Sequence, residues 1–245
     1  MILNALIIIF LLLMAYYWGT QGVFSAFLHL VVTIVAGAVA LGLWEPFAYG
    51  FLMNRFPQYA LAAGLLVPFV VTLLVLRVAF DWLIPGNVNF GNIANLVGGG
   101  ICGLVSVVLS AGFLVIGLGF LPLGADLLGY QPMTVGRDGQ VTGSAGDGLV
   151  VAVDKQTAGF YGFLAGSGFA VGTPLTQYHP NLADEPALLR MSRHFAGASS
   201  LVATEQGVNV ASVVTVPTPV AGLEPAVVKA LGPAASKPGS QLVVV

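Results

Sequence analysis

The chain has 245 residues, of which 57% are hydrophobic and only 7% are charged, and its formal net charge is -2. Soluble domains usually carry about 25% charged residues, so this chain cannot supply a hydrated surface for one large globule. The sequence also lacks the basic patch of a nucleic-acid-binding protein and the polybasic stretch that binds anionic lipid. The composition therefore predicts that a lipid bilayer surrounds much of the chain and that nucleic acid is not a partner.

The charged residues divide the chain into two unlike halves. Residues 1–123 contain only Glu45, Arg55, Arg77 and Asp81 as charged side chains. After residue 123, Gly, Asp, Thr and Ser become frequent, and no apolar run is long enough to cross a membrane. We expect a transmembrane domain over 1–123, a water-facing domain over 124–230 and a disordered tail over 231–245.

Four apolar segments in the first half predict membrane-spanning helices, because about 20 apolar residues are needed to cross about 30 Å of hydrocarbon. They cover residues 2–18, 23–44, 59–84 and 96–121. The first lacks the charged start of a secretory signal, so we expect it to be retained. Short polar loops join the segments. The predicted fold is a membrane all-α, four-helix antiparallel bundle with both chain ends on one side.

The second half predicts a small mixed α/β or loop-rich soluble domain. Alternating residues over 133–153 are broken by the turn pairs Asp138-Gly139 and Asp147-Gly148. Helices are expected over 155–170 and 183–195, and a strand over 209–216. The helix over 183–195 has acidic residues at its start and basic residues near its end, an order that suits the helix macrodipole. Those residues are Asp184, Glu185, Arg190, Arg193 and His194.

Small residues in the second and fourth predicted helices indicate close helix packing. Gly37 lies in the second helix, and Gly98, Gly99 and Gly103 lie in the fourth. Small residues let helix backbones approach closely where lipid provides no hydrophobic drive between helices. Self-association into a homo-oligomer and ordinary glycine enrichment in membrane helices are the alternatives.

Three polar side chains fall inside the apolar half. Arg77 and Asp81 share one face of the third predicted helix, since residues four apart are neighbours on a helix. We interpret them as an interfacial pair in which Arg77 extends toward the headgroups, with an ion or proton pathway as the alternative. His29 in the second helix is interpreted as a packed or hydrogen-bonded residue, because no relay partner is evident.

The sequence gives little support for catalysis. Ser167 lacks the preceding glycine of a nucleophile elbow, because Ala165 stands at that position. Ser167, Asp184 and either His179 or His194 could be combined into a triad, but any chain of this size offers such combinations. Cys102 is the single cysteine, without metal-ligand spacing around it. No catalytic residue, cofactor or metal ion is therefore expected.

Roughly residues 1–125 resemble the colicin V production protein (CvpA) family. The shared features are four helices, small residues in helix two, an early Gly19-x-x-Gly22 turn, and Asn95-Leu96-Val97-Gly98-Gly99-Gly100-x-x-Gly103 in helix four. Where the family has Arg-Gly-Phe after helix one, this chain has Trp18-Gly19-Thr20 and Gly22-Val23-Phe24. Where the family has a basic residue before the helix-four glycines, it has Asn92 and Asn95.

The resemblance implies a multi-pass protein of the bacterial inner membrane, linked to colicin V production or export and to envelope homeostasis. It implies no catalytic residues, and it places the second half in the periplasm. We expect a non-enzymatic scaffold or accessory protein with a membrane or envelope protein as partner. The alternatives are a small transporter or channel subunit and a membrane-anchored hydrolase.

Overall fold

The structure is a computed structural model. It describes residues 2–84, 86, 88, 90–123, 126–135, 141–143, 148–167, 175–196, 214–217 and 241–244. By its contacts the chain forms two compact units, Met1–Leu201 and Val202–Val245.

Four long helices form the first part of the first unit. They are α1 (Ile2–Gln21), α2 (Val23–Phe47), α3 (Ala60–Leu83) and α4 (Asn92–Gly119). All four are long and apolar enough to cross a membrane by length and composition. The prediction of four apolar helices is therefore confirmed, and the chain has the helices of a multi-pass membrane protein.

Three boundaries of the long helices differ from the sequence prediction by three residues or more. Helix α1 runs on to Gln21, past its predicted end at residue 18 and through most of the predicted turn. Helix α2 does not stop before Pro46 but runs on to Phe47 and into a π-helical segment, Ala48–Leu52. Proline removes one backbone donor, a loss that neighbouring helices in a membrane bundle can accommodate. Helix α4 begins at Asn92, before the predicted start at residue 96, because Gly91 with φ 98° turns the chain directly into the helix.

Aromatic and small side chains fill the core of the bundle. Phe69 of α3 stacks on Phe113 of α4 with ring centroids 4.4 Å apart. The Trp44 ring packs against Phe120, and its indole Nε1 donates to the Leu61 carbonyl over 3.0 Å. The Leu61 carbonyl satisfies the only polar atom of the buried Trp44 side chain, so this side chain leaves no unsatisfied donor in the apolar core.

Short elements follow the bundle. They are β1 (Met133–Val135), β2 (Val141–Gly143), α5 (Val153–Gly166), α6 (Leu175–Tyr178), α7 (Glu185–Ala196), β3 (Val214–Pro217) and β4 (Gln241–Val244). Strands β1 and β2 pair antiparallel with Met133 opposite Gly143. The predicted turns at Asp138-Gly139 and at Asp147 lie outside the described residues.

The second unit contains one antiparallel pair, in which Val214 of β3 lies opposite Val244 of β4. Strand β3 agrees with the end of the strand expected over 209–216, and residues 209–213 lie outside the described residues. Strand β4 falls within the tail for which the sequence predicts disorder. Residues 231–240 and 245 also lie outside the described part of the chain.

The packing boundary differs from the expected division after residue 123. Helices α5, α6 and α7 belong to the same compact unit as the four long helices. The physical reason is that α5 buries side chains against α2 and α4, as the next subsection describes. That the region from 124 to 230 faces water stays a prediction.

Candidate functional site

Helix α5 lies against α2 and α4 at two glycines. A Cβ atom built on Gly37 of α2 would overlap the hydroxyl of Tyr161, and one on Gly112 of α4 would overlap the Thr157 side chain and come close to the Val153 carbonyl. Only a residue without a side chain leaves room for this approach. The two glycines therefore form a socket for α5, and we call Gly37 and Gly112 the α5 socket.

Two hydroxyl groups of α5 point into the bundle. The Tyr161 hydroxyl lies 3.2 Å from each of the Thr33 and Ile34 carbonyl oxygens in α2. The Thr157 hydroxyl lies 3.3 Å and 3.4 Å from the Val108 and Leu109 carbonyl oxygens in α4. Each hydroxyl thus donates to a carbonyl inside a long helix, which satisfies a buried donor.

A buried carboxyl group marks the start of α5. The Asp154 side chain is 1% exposed. It accepts hydrogen bonds from the Tyr130 hydroxyl and from the Lys155 backbone N–H. Burial and this hydrogen bond raise the pKa of the Tyr130 phenol, so the phenol remains a donor. The pair ties the segment before α5 to the first turn of α5.

A histidine connects the short helices to the end of α2. Nδ1 of His179 lies 2.9 Å from the Glu185 carboxylate, and Nε2 lies 3.4 Å from the Glu45 carboxylate. The ring also packs on Trp44, with centroids 4.8 Å apart. The hydrogen bond to Glu185 and the charges of both glutamates raise the pKa of His179 despite partial burial. We call His179, Glu45 and Glu185 the histidine clamp.

An open cavity of about 500 Å³ lies beside the histidine clamp. Among the described residues, its polar lining comes from Lys155, Thr176, His179, Asn181 and Asp184, and its apolar lining includes Phe163 and Leu182. The lining includes a basic side chain, Lys155, and an acidic one, Asp184. No group of three or more metal-ligating side chains occurs among the described residues.

Arg190 has a different role from the one its position in the sequence suggests. Its buried guanidinium donates through Nη1 to the Gly119 carbonyl, at a distance of 2.7 Å. That carbonyl belongs to the last turn of α4, where helix carbonyls need donors and a positive charge is favourable. Arg190 therefore caps a neighbouring helix instead of the end of its own.

The predicted polar residues of the apolar half lie near one end of the bundle. Arg77 and Asp81 form an ion pair with a 2.8 Å separation, and Arg77 also donates to the Ser25 hydroxyl over 3.3 Å. The Arg77 guanidinium lies 5.5 Å from the Trp18 ring, which stacks on His29 at 4.2 Å. Arg77 and His29 thus contact the same indole. We call this group the Arg77 cluster.

The ion pair of the Arg77 cluster is partly exposed. The side chains of Arg77 and Asp81 are 26% and 58% exposed. Two buried nitrogens, Nε1 of Trp18 and Nδ1 of His29, have no hydrogen-bond partner among the described residues. The geometry around His29 is that of a packed aromatic stack beside an ion pair.

The predicted packing glycines of α4 lie against the turn between α1 and α2. A Cβ atom on Gly99 would come within 2.7 Å of the Trp18 carbonyl, and one on Gly98 within 2.7 Å of the Val23 side chain. A Cβ atom on Gly103 would overlap the Trp18 side chain. These three glycines therefore allow close contact within one chain, whereas Gly37 serves α5.

The residues of the hypothetical triad do not come together in the described structure. The Ser167 hydroxyl donates to the Phe163 carbonyl of its own helix over 2.7 Å. His179 is engaged by two glutamates instead of a nucleophile. The side chain of His194 lies outside the described residues.

Sequence reasoning missed the α5 socket, Tyr130, Asp154 and the histidine clamp. One signal was present for α5: Thr157 and Tyr161 are four residues apart and share the face on which Asp154 begins. No local signal pairs Glu45 with His179, because their approach depends on the packing of α6 against the bundle.

Comparison of the chain with known protein families, with curated proteins and with solved structures finds no significant match.

Proposed function

We propose that this chain is a non-enzymatic scaffold or accessory protein of the bacterial inner membrane, CvpA-like, that serves toxin production or export and envelope homeostasis. The observation that supports this role is that the chain's own α5 occupies the seam between α2 and α4. Tyr161 and Thr157 fix α5 to carbonyls of both long helices. Such a bundle holds a fixed shape to which other membrane or envelope proteins can bind.

The position of the ion pair favours a scaffold over a transporter or channel subunit. A pore requires polar groups that face a shared aqueous path. Arg77 and Asp81 instead lie near the end of α3, with Arg77 half-buried and Asp81 exposed. The described core between α3 and α4 is a stack of Phe69 on Phe113.

The geometry around His179 argues against the hydrolase alternative. A general base must hold one ring nitrogen within hydrogen-bond reach of the nucleophile. Both ring nitrogens of His179 face carboxylates, and the Ser167 hydroxyl is bonded to its own helix. The histidine clamp is better explained as a structural contact that connects α7 and the residue after α6 to the end of α2.

We place the region from 124 to 230 on the periplasmic side, as a small mixed α/β or loop-rich region that meets the partner. With four spans, the start of α1 and everything after α4 share one side of the membrane. The bilayer itself is the first partner, a membrane or envelope protein is the second, and a second copy of the chain is an alternative.

Copurification in mild detergent tests the scaffold role. The tagged chain would be extracted at native abundance, and its associated proteins identified by mass spectrometry. A multi-span membrane protein of matched abundance, carrying the same tag, serves as the control. We expect at least one partner in stoichiometric amount with this chain and not with the control. Recovery of a lone monomer would contradict the proposal.

Sidedness is tested separately by cysteine labelling. Cys102 would be replaced by serine, and one cysteine would be placed at the exposed Tyr178. A membrane-impermeant thiol reagent should label this position from the periplasm in intact cells. Labelling only after the inner membrane is opened would reverse the proposed orientation.

A further inference from the structure

Helix α5 contacts the long helices near the middle of their length. The Thr33 carbonyl, which faces Tyr161, lies about 15 Å from the start of α2 and about 21 Å from its end, at 1.5 Å per residue. The Leu109 carbonyl, which faces Thr157, lies about 15 Å from the end of α4. The hydroxyls of α5 therefore contact α2 and α4 well away from the ends of both helices.

These depths place the contacts within the hydrocarbon. Helix α2 has 25 residues and is about 37 Å long, whereas the hydrocarbon is about 30 Å thick. Helix α1 has 20 residues and is about 30 Å long, which matches the hydrocarbon thickness, and α2 begins two residues after α1 ends. If α1 spans the bilayer, Thr33, about 15 Å from the start of α2, lies near the middle of the hydrocarbon.

The polar groups that α5 buries are satisfied in the way that a lipid environment requires, whereas Lys155 and Gln156 in its first turn are exposed. Asp154 accepts from the Tyr130 hydroxyl and the Lys155 N–H, and Thr157 and Tyr161 face helix carbonyls. In lipid, an unsatisfied polar group costs several kcal/mol. Among the large hydrophobic side chains of α5, the exposed one is Phe163, at 69%, and it also lines the open cavity beside the histidine clamp.

The segments on both sides of α5 lie at the same end of the bundle. Before α5, Gly148 and Val150 bond to the Asn4 side chain in the first turn of α1. After α5, His179 reaches Glu45 near the end of α2. Since α1 starts where α2 ends, the chain enters and leaves α5 on one side. With 14 residues, α5 is about 21 Å long and too short to cross the bilayer.

We propose that Val153–Gly166 is a re-entrant membrane helix, seated in the α5 socket within one half of the bilayer, and not part of a water-facing domain. The inference depends on the membrane placement of the long helices and not on the scaffold role. It divides the region after residue 123 into a membrane-embedded segment and the residues that follow it outside the bilayer.

Spin-label accessibility in vesicles tests the proposal. In full-length protein with Cys102→Ser, one label would be placed at Phe163 on α5. A second variant would carry it at Leu104, exposed near the middle of α4, and a third at Tyr178, exposed on α6. Each protein would be reconstituted in phosphatidylcholine vesicles, and collisions with oxygen and with a water-soluble nickel chelate would be measured.

We expect the label at 163 to resemble the label at 104, with frequent oxygen collisions and nickel collisions several-fold rarer than at 178. Nickel collisions at 163 as frequent as at 178 would overturn the proposal. Water-like behaviour at 104 would overturn it too, because α4 would then not lie in the bilayer. Failure of partner copurification would leave this result unchanged, so the two proposals fail independently.

A matched pair of variants tests the socket itself. Gly37→Val places a side chain where the Tyr161 hydroxyl sits, whereas Gly42→Val on the same helix meets nothing within 4 Å. In the background labelled at 163, we expect the first variant to raise nickel collisions several-fold and the second to leave them unchanged. Equal behaviour of both variants would contradict the role of Gly37. If the first variant does not fold, the labels in the unmodified bundle decide.

Discussion

The α5 site and the Arg77 cluster handle polar groups in opposite ways. At the Arg77 cluster, the ion pair of Arg77 and Asp81 is partly exposed near the end of α3. At the α5 site, Asp154, Thr157 and Tyr161 are buried, and each has a partner. The apolar half of the chain thus has its Arg77–Asp81 pair near an end of the bundle. Polar side chains from the second half, in contrast, are buried in the interior of the bundle.

The comparison teaches that burial, and not the number of charges, sets the energetic importance of a polar group. An exposed ion pair is weakened by competing solvent and salt. A buried group left without its partner carries the full cost of desolvation. Changes at the α5 site should therefore reduce stability more than changes at the Arg77 cluster.

Removal of the Tyr161 side chain should have the largest effect. The side chain is 2% exposed and packs edge-on against Phe113. Tyr161→Ala should lower the free energy of unfolding by about 3–5 kcal/mol, as truncation of a large buried aromatic does. Reversible unfolding in mixed micelles measures the change. Tyr178→Ala, at an exposed tyrosine, is the control and should be near neutral.

Loss of the Tyr130 hydroxyl should have the next largest effect. Tyr130→Phe keeps the ring but removes the donor to the buried Asp154 carboxyl. Because a buried carboxyl group would be left without this donor, we expect about 1–3 kcal/mol of destabilisation in the same assay. The double variant with Asp154→Asn should lose less than the sum of the two single changes. Simple additivity would show that the two side chains do not act as a pair.

The histidine clamp should give a smaller, pH-dependent effect. The folded-state pKa of His179 is raised above 6.5, so the clamp stabilises fully below about pH 6.5 and loses this contribution as the pH rises through the folded-state pKa. The melting temperature should fall over that interval in detergent. His179→Gln should flatten the profile, and Glu185→Gln should shift its midpoint to lower pH. An unchanged profile in His179→Gln would assign the titration to another group.

Disruption of the Arg77–Asp81 pair should have the smallest effect. Asp81 is 58% exposed, so Asp81→Asn should cost less than about 1 kcal/mol, and salt should reduce the difference further. Unfolding measured at low and high salt checks this. A loss as large as that of Tyr130→Phe would remove the distinction between the two sites.

The four long helices of the first half could be predicted because the formation of each one depends on its local composition. The runs that contain α1 to α4 are apolar over the length of a bilayer, and no other segment of the chain has that length. Gly98, Gly99 and Gly103 could be predicted as packing positions because small residues in an apolar helix are also a local signal. The end of α2 was misjudged, since Pro46 reads as a stop in a helix that continues.

The α5 site could not be predicted because its partners are far apart in the sequence. Tyr161 faces Thr33, Thr157 faces Leu109, and nothing in the neighbourhood of any one of them indicates the other. Arg190 was assigned to the end of its own helix by charge order, whereas its guanidinium binds the end of α4. Local rules describe one helix at a time and do not include neighbouring helices.

The sequence by itself determined that four apolar helices form and that the charges of the first half are few, because hydropathy acts on each segment independently of the rest. Only the tertiary structure decided that Gly37 and Gly112 accommodate a fifth helix and that His179 bridges to Glu45. The physical reason is that a buried hydroxyl or carboxyl group must find its partner in space. Which backbone carbonyl or side chain comes within reach is fixed only when the helices pack.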